Sequence, residues 1–160
     1  MEHLYQQIRE INQLTNENDL IYHKIARRYG LSDSVFWLLY IIFNSNEPSS
    51  QSALCEQWHY SKQTIQSAIA ALVNRKLILL RKVEGSRNRK HIVLTKQGEA
   101  FCQRVICEVN AIEREAYSGL TDEQRARFLN AFRVLNQKLK QAYQNQYHSN
   151  SEILKEAPQS

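Results

Sequence analysis

The segment 61–94 constrains the fold of this chain most strongly, because a sixteen-residue helical pattern, 61–76, runs directly into a basic hairpin pattern. At about 100° per residue, four apolar residues fall on one face of that helix: Ile65, Ala68, Ile69 and Leu72. Small or polar residues fall on the opposite face: Gln63, Ser67, Ala70 and Asn74. Ser61 can cap the first turn, since its hydroxyl can accept from backbone N–H groups two or three residues on. The pattern predicts an amphipathic helix over residues 61–76.

The polar face of this helix carries side chains that can read the edges of DNA bases. Gln63 and Gln66 offer paired donors and acceptors that fit adenine, and Ser67 can serve several bases. An ordinary solvent-exposed face explains the same residues when they are taken alone. The preceding residues 49–58 predict a short helix followed by a brief turn, so the two helices together resemble a helix-turn-helix.

The residues after the helix predict a β-hairpin. Segments 77–83 and 91–94 are rich in strand formers, and Gly85 lies in the tip between them. The hairpin sets five basic side chains against the single acid Glu84: Arg81, Lys82, Arg87, Arg89 and Lys90. Residues 47–98 hold nine basic and three acidic residues of a chain with net charge +5, so the rest of the chain has a net charge of −1. Charge concentrated in this way favours contacts with phosphates.

The order of these elements resembles the winged-helix repressors of the MarR (multiple antibiotic resistance regulator) family, over roughly residues 6–143. Two groups of residues carry the resemblance most specifically. They are Lys62-Gln63-Thr64 followed by Ser67-Ala68-Ile69, and Leu94-Thr95 with Gly98. The chain departs from the family at the wing tip, where the usual Asp and Arg, two residues apart, are replaced by Ser86 and Asn88.

The resemblance implies a mainly α fold with a small β-hairpin wing (α+β), namely a winged helix-turn-helix with long N- and C-terminal dimerisation helices. We expect a single domain over residues 1–144, with the winged helix-turn-helix at about 32–97 and the dimerisation helices at about 3–29 and 95–144. A polar tail at 145–160 is expected to fray. In the family, the long terminal helices interlock between two subunits.

Local signals set the ends of the long helices. Gly30 predicts the end of the first helix, which is expected to weaken around residues 16–19. Thr121 and Gln124 stand at capping-box spacing and predict the start of the last helix. Apolar residues recur at helical spacing in both terminal regions, which supports helices that need a partner surface.

The resemblance also implies a function. We expect a sequence-specific transcriptional regulator, a repressor, that binds a pseudo-palindromic operator in double-stranded DNA as a homodimer and is released by a small-molecule effector. The residues expected to bind DNA come from three predicted elements: Ser50, Gln51, Ser61, Lys62, Gln63, Thr64, Gln66, Ser67, Arg81, Arg87, Asn88, Arg89 and Lys90. Relatives bind small anionic aromatic compounds between the dimer helices and the reading module, where His23, Trp37 and Tyr40 are expected. Ordinary core packing is the alternative explanation of those aromatic residues.

Three cysteines raise the question of a metal or thiol switch. Cys55 and His59 lie four residues apart, and Cys102 and Cys107 lie five apart. Small buried cysteines explain these positions more simply. Zinc-responsive members of the family carry a His-x-x-x-His pair on the fifth helix, and oxidation-sensing members carry a reactive cysteine near the N-terminus; this sequence has neither. We therefore expect no metal and no cofactor.

Other classes of protein find little support. The sequence has no Gly-rich phosphate loop, no HExxH, no Gly-x-Ser-x-Gly and no spaced carboxylate pair, so we do not expect an enzyme. Its longest apolar run, 35–43, is far shorter than the ~20 residues needed to cross a bilayer. An odd number of cysteines without a secretory leader predicts a cytoplasmic protein with no membrane partner. Two alternatives stay open: a winged-helix module that binds an acidic protein instead of DNA, and a thiol- or metal-responsive sensor.

Overall fold

The computed structural model describes residues 1–45, 49–58, 60–83, 85–86 and 90–153, apart from the side chains of 57, 58 and 148–153. The helices in these residues are α1 (Glu2–Arg28), α2 (Asp33–Asn44), α3 (Gln51–Trp58), α4 (Lys62–Asn74), α5 (Lys96–Ser118) and α6 (Asp122–Ile153). The strands are β1 (Ser49–Ser50), β2 (Ile78–Lys82) and β3 (Lys90–Leu94). The predicted fold class, mainly α with a small β-hairpin wing, is confirmed. The contacts of the chain divide it into two units, residues 1–111 and residues 112–160.

The small sheet is antiparallel with the strand order β1-β3-β2. In the hairpin formed by β2 and β3, called the wing below, Leu80 stands opposite Ile92. The helix predicted from residue 49 begins instead at Gln51, because Ser49 and Ser50 pair with β3. Ser50 also accepts a hydrogen bond from the backbone N–H of Ala53 at 3.2 Å and so caps the shortened helix.

The core of residues 1–111 is built around α2. This helix is apolar on nearly every side, and its fully buried side chains include Phe36, Leu38 and Leu39. α4 and α5 supply the facing residues: Ile65, Ala68, Leu72, Cys102, Val105, Ile106 and Val109. Full burial of each large apolar side chain contributes about 1.5–3 kcal/mol, so packing in this core holds the inner face of α4 against α2.

Two helices in this unit end on a residue with left-handed backbone geometry. Gly30 has φ 66° and follows α1, and its neighbour Leu31 donates from its N–H to the carbonyl of Ala26 at 2.9 Å. The predicted end of the first helix is therefore confirmed. α4 ends in the same way, but the left-handed residue there is Lys76, with φ 58°, and the N–H of Leu77 bonds the Leu72 carbonyl at 3.0 Å. This turn ends α4 two residues before the predicted residue 76.

The two terminal helices differ from the prediction at particular points. α1 is continuous, and the expected weakening at residues 16–19 is absent in it; an exposed side-chain hydrogen bond from Gln13 to Glu17, 2.9 Å long, lies at the start of that stretch. α6 begins at the predicted capping box, where the N–H of Gln124 donates to Thr121 Oγ1 at 3.2 Å and the N–H of Thr121 donates to Gln124 Oε1 at 2.8 Å. Its backbone is helical to Ile153, and the fraying expected from residue 145 stays a prediction. None of the helices in the described ranges is long and apolar enough to cross a membrane.

Candidate nucleic-acid interface

The N-terminal end of α4 is fixed by a side-chain cap. Ser61 Oγ accepts from the backbone N–H of Thr64 at 3.0 Å, as the sequence predicts. The Thr64 hydroxyl lies 2.7 Å from the same Ser61 oxygen. Thr64 was expected to contact DNA, and the structure places its hydroxyl in the cap, where it helps to hold the first turn.

The outer face of α4 is free of core contacts. Four apolar residues of this helix are buried, namely Ile65, Ala68, Ile69 and Leu72, which confirms the predicted inner face. Its outer side exposes Val73 and six further residues, called the reading face below: Lys62, Gln63, Gln66, Ser67, Ala70 and Asn74. A helix of 13 residues is about 20 Å long, and the DNA major groove, about 12 Å wide, admits a helix of this kind.

The strands of the wing carry exposed cations that form no ion pair with another described residue. Arg81, Lys82 and Lys90 are exposed, and no ion pair in the described part of the chain uses them. Lys82 stands directly opposite Lys90 across the two strands. Like charges directly opposite each other destabilise a hairpin. Two lysines in this position are therefore typical of a surface that binds anions. The predicted contacts Arg87, Asn88 and Arg89 lie outside the described residues.

A cavity of about 580 Å³ brings together four of the predicted contact residues. Its lining includes Ser50, Gln51, Lys62 and Lys90, which come from β1, α3, α4 and β3. The amide nitrogen of Gln51 is buried and has no hydrogen-bond partner among the described residues. The sequence nominated these residues separately but gave no sign that they share a cavity, because they lie as far as 40 residues apart.

Comparison with known proteins identifies this region. Residues 29–87 match the model of the MarR family. This winged-helix region is therefore similar to MarR family domains. The match covers α2, α3, α4 and β2, which carry the reading face and part of the wing. Comparison with curated proteins gives no match.

Solved structures that include MarR family regulators resemble the chain over most of its length. NMB1585, a MarR family regulator from Neisseria meningitidis, has a TM-score of 0.68 at 19% identity, covering 86% of this chain and 98% of its own. The MepR–DNA complex from S. aureus has a TM-score of 0.68 at 15% identity, covering 81% and 94%. Staphylococcus aureus MarR in complex with salicylate and kanamycin has a TM-score of 0.66 at 15% identity, covering 88% and 95%. At such low identities, the similarity to these structures supports the fold alone.

Four aromatic side chains form a cluster where α1 packs against α2. The ring of Trp37 has three neighbours: Tyr22 at 4.8 Å, Phe36 at 5.2 Å and Tyr40 at 5.5 Å between centroids. Phe36 is fully buried, whereas the other three side chains are half-buried. Of the residues expected near an effector, Trp37 and Tyr40 lie in this cluster. His23 instead pairs through Nδ1 with the carboxylate of Asp33 at 2.9 Å.

The thiols differ in exposure and chemistry. Cys102 is fully buried in the core, and burial, followed by the nearby Cys107, raises the pKa of its thiol to about 12. Cys107 is half-buried, and its Sγ donates to Gln103 Oε1 at 3.3 Å. Cys55 is half-buried at the cavity described above. No group of three metal-ligating side chains occurs in the described ranges, from which His59 is missing.

Proposed function

We propose that this chain is a transcriptional regulator that binds double-stranded DNA through the reading face of α4 and the wing. The main support for this proposal is that Gln63, Gln66 and Ser67 are exposed along a helix whose opposite face is buried in the core. Lys62 stands at the start of the same helix, and the cations of the wing lie on the next two strands. Base-edge contacts from α4 then specify the sequence, whereas phosphate contacts from the wing position the protein.

Apolar residues on the long helices support a homodimer. Leu4, Ile8 and Ile11 of α1 expose 53%, 42% and 44% of their surface in the single chain. On α6, Phe128 and Phe132 are exposed and stack with centroids 5.9 Å apart. Exposed apolar surface of this extent is typical of a protein interface. We propose that a second copy of the chain covers it, within one MarR-type domain over residues 1–144 and a polar tail after it.

A homodimer fits an operator with two-fold symmetry. Two copies of α4 read two half-sites when they lie about one DNA turn apart, roughly 34 Å. A protein held on such a site blocks transcription of the adjacent gene, so we propose a repressor that works in the cytoplasm, where it meets its operator. The S. aureus protein MepR, solved with DNA, supports DNA as the partner.

We further propose that a small aromatic anion releases the protein from DNA. The half-buried rings of Tyr22, Trp37 and Tyr40 form an apolar surface on α1 and α2, and the exposed Arg27 lies on α1 close to the end of that helix. Staphylococcus aureus MarR, solved with salicylate and kanamycin, supports a ligand of this kind. Salicylate should therefore weaken DNA binding at millimolar concentration, while benzyl alcohol, which lacks the carboxylate, should not.

A gel-shift experiment tests the proposal. The probes are duplexes that flank the coding region of this protein on either side, with a random duplex of equal length as competitor. We expect one flanking duplex to be retained at a competitor excess that removes the random one. If an acidic protein is the true partner, both flanking probes will be lost at the same competitor concentration as the random duplex.

A further inference from the structure

An arginine at the C-terminal end of α4 touches two other helical elements. Arg75 Nη1 donates to the carbonyl oxygen of Gly30 at 3.1 Å. Its guanidinium carbon also lies 5.4 Å from the centroid of the Phe101 ring. Gly30 is the left-handed residue that follows α1, and Phe101 lies in α5. A single side chain therefore joins the end of α4 to the end of α1 and to α5.

The residues that Arg75 contacts are themselves held in place by other interactions. The ring of Phe101 meets that of Tyr29 edge to face, with centroids 6.4 Å apart and an angle of 80°. The Tyr29 hydroxyl donates to one carboxylate oxygen of Glu108, and Arg28 Nη1 donates to the other at 3.1 Å. These contacts link the end of α1 to α5 independently of α4. Arg75 thus meets a surface that is already fixed.

Arginine suits this position for a geometric reason. A planar guanidinium can stack on a ring and donate in its own plane at the same time, whereas the ammonium group of lysine is a point charge on a flexible stem. Both contacts lie at the surface, so each is weak by itself. Their common effect is to limit rotation of the last turn of α4 relative to α1 and α5.

We propose that Arg75 is a positioning residue for DNA recognition, which fixes the angle at which α4 is presented by tying its C-terminal end to α1 and α5. The proposal rests on the proposed function, since α4 must enter a groove for its angle to matter. In a dimer built on α1, the tie also relates the two α4 helices to each other. An exposed arginine on a basic surface can instead contact a DNA phosphate, and the two roles differ in their salt dependence.

Two variants of Arg75 separate these roles. Arg75→Lys keeps the charge that a phosphate contact needs but loses the planar group, and Arg75→Gln loses both. Lys76→Gln is the matched control, because it removes an exposed cation from the next residue. The probes are a duplex that the wild-type protein selects from a random pool and two derivatives with one base pair added or removed between the half-sites.

We expect both Arg75 variants to bind the selected duplex roughly threefold to tenfold more weakly, the range that two exposed contacts can supply. The preference for the selected spacing over the altered spacings should shrink by a similar factor. The reason is that an α4 whose angle is less restricted can adjust to a half-site that has moved by one base pair. The slope of log affinity against log salt should stay at the wild-type value. Lys76→Gln should retain the spacing preference.

Two results would overturn the proposal. Arg75 would be a phosphate contact if Arg75→Lys bound normally while Arg75→Gln lost affinity on every duplex and reduced the size of the salt slope by about 0.9. Unchanged affinity and spacing preference in both variants would remove any role for Arg75 in recognition.

Amide hydrogen exchange without DNA tests the tie separately. In the Arg75→Gln variant, the backbone amides of residues 70–77 should exchange at least threefold faster than in wild type, while the exchange rates of α2 stay unchanged. Unchanged exchange over 70–77 would disprove the tie whatever the DNA results. A third result is that the exchange rate over 70–77 rises in Arg75→Gln while the wild-type protein selects no duplex. In that case Arg75 does hold the end of α4, but the proposed function and the role of Arg75 in recognition both fail.

Discussion

A Cβ atom at Gly98 would lie 1.9 Å from the carbonyl oxygen of Leu77. The first turn of α5 therefore rests directly on the backbone that connects α4 to the wing. Thr95 strengthens this junction, because its N–H donates to the Leu77 carbonyl at 3.0 Å and its hydroxyl accepts from the N–H of Gly98 at 2.9 Å. The motif Leu94-Thr95 with Gly98 thus has a physical reason: only glycine permits so close an approach.

Gly98→Ala should destabilise the fold strongly. The added methyl group meets backbone, which cannot move aside as a flexible side chain can, so we expect a loss of roughly 3 kcal/mol in the free energy of unfolding. Gln97→Ala changes an exposed neighbour in the same turn and should stay within about 0.5 kcal/mol of wild type. Urea unfolding followed by circular dichroism measures both. Equal stability of the two variants would mean that α5 and Leu77 are not in contact.

Lys76→Gly should stabilise the protein. Lys76 has φ 58°, a left-handed geometry that costs a non-glycine residue about 1 kcal/mol. Glycine removes that cost but makes the unfolded chain more flexible, so we expect a net gain of about 0.5 kcal/mol. Lys76→Ala is the control, since it removes the same charge and keeps the strained geometry. A gain in Lys76→Ala as large as in Lys76→Gly would assign the effect to charge.

The thiol of Cys102 should resist alkylation in the folded protein. Burial raises its pKa to about 12 from an ordinary 9.0, so almost no thiolate forms at pH 8. Iodoacetamide at pH 8 should modify the half-buried Cys55 and Cys107 well before Cys102, as peptide mass spectrometry can measure. The raised pKa contributes stability that is fully present below about pH 9 and is lost as the pH rises towards 12. Rapid labelling of Cys102 in native protein would contradict its burial.

A charge placed on the apolar stripe of α1 should dissociate the proposed dimer. Ile11 is 44% exposed in the single chain, so Ile11→Glu should leave the fold intact and give a monomer by light scattering at micromolar concentration. Gln6→Glu adds the same charge at an exposed position on the opposite side of the same helix and should remain dimeric. A wild-type protein that is already monomeric at this concentration would disprove the dimer.

Local patterns in the sequence predicted most of the elements. The buried positions Ile65, Ala68 and Leu72 follow from helical periodicity, and the Ser61 cap and the Gly30 end follow from the chemistry of single residues. These features depend on neighbours within one or two turns, which a single sequence displays. The fraying expected from residue 145 stays a prediction; the backbone is helical to Ile153, and residues 145–153 contain neither glycine nor proline to mark an earlier end.

Features that join distant residues could not be predicted in this way. Strand β1 exists because Ser49 pairs with Ile92, a residue 43 positions further along the chain. The bond from Arg75 to Gly30 spans 45 positions, and nothing in the neighbourhood of Arg75 suggests its partner. The wing tip at Arg87, Asn88 and Arg89 stays a prediction, as does every assignment of a residue to DNA.

The most direct test of the central claim is a salt titration of DNA binding by fluorescence anisotropy, with wild type and Gln63→Ala on the selected duplex and on a scrambled duplex of the same composition. Wild type should bind both with affinities that fall as salt rises, and should prefer the selected duplex by about 10³-fold or more. Gln63→Ala should lose roughly 1–3 kcal/mol of that preference and keep the wild-type salt slope, because it loses a base contact and no phosphate contact. Equal wild-type affinity for the two duplexes, or no binding to either at low salt, would contradict the claim that α4 reads DNA.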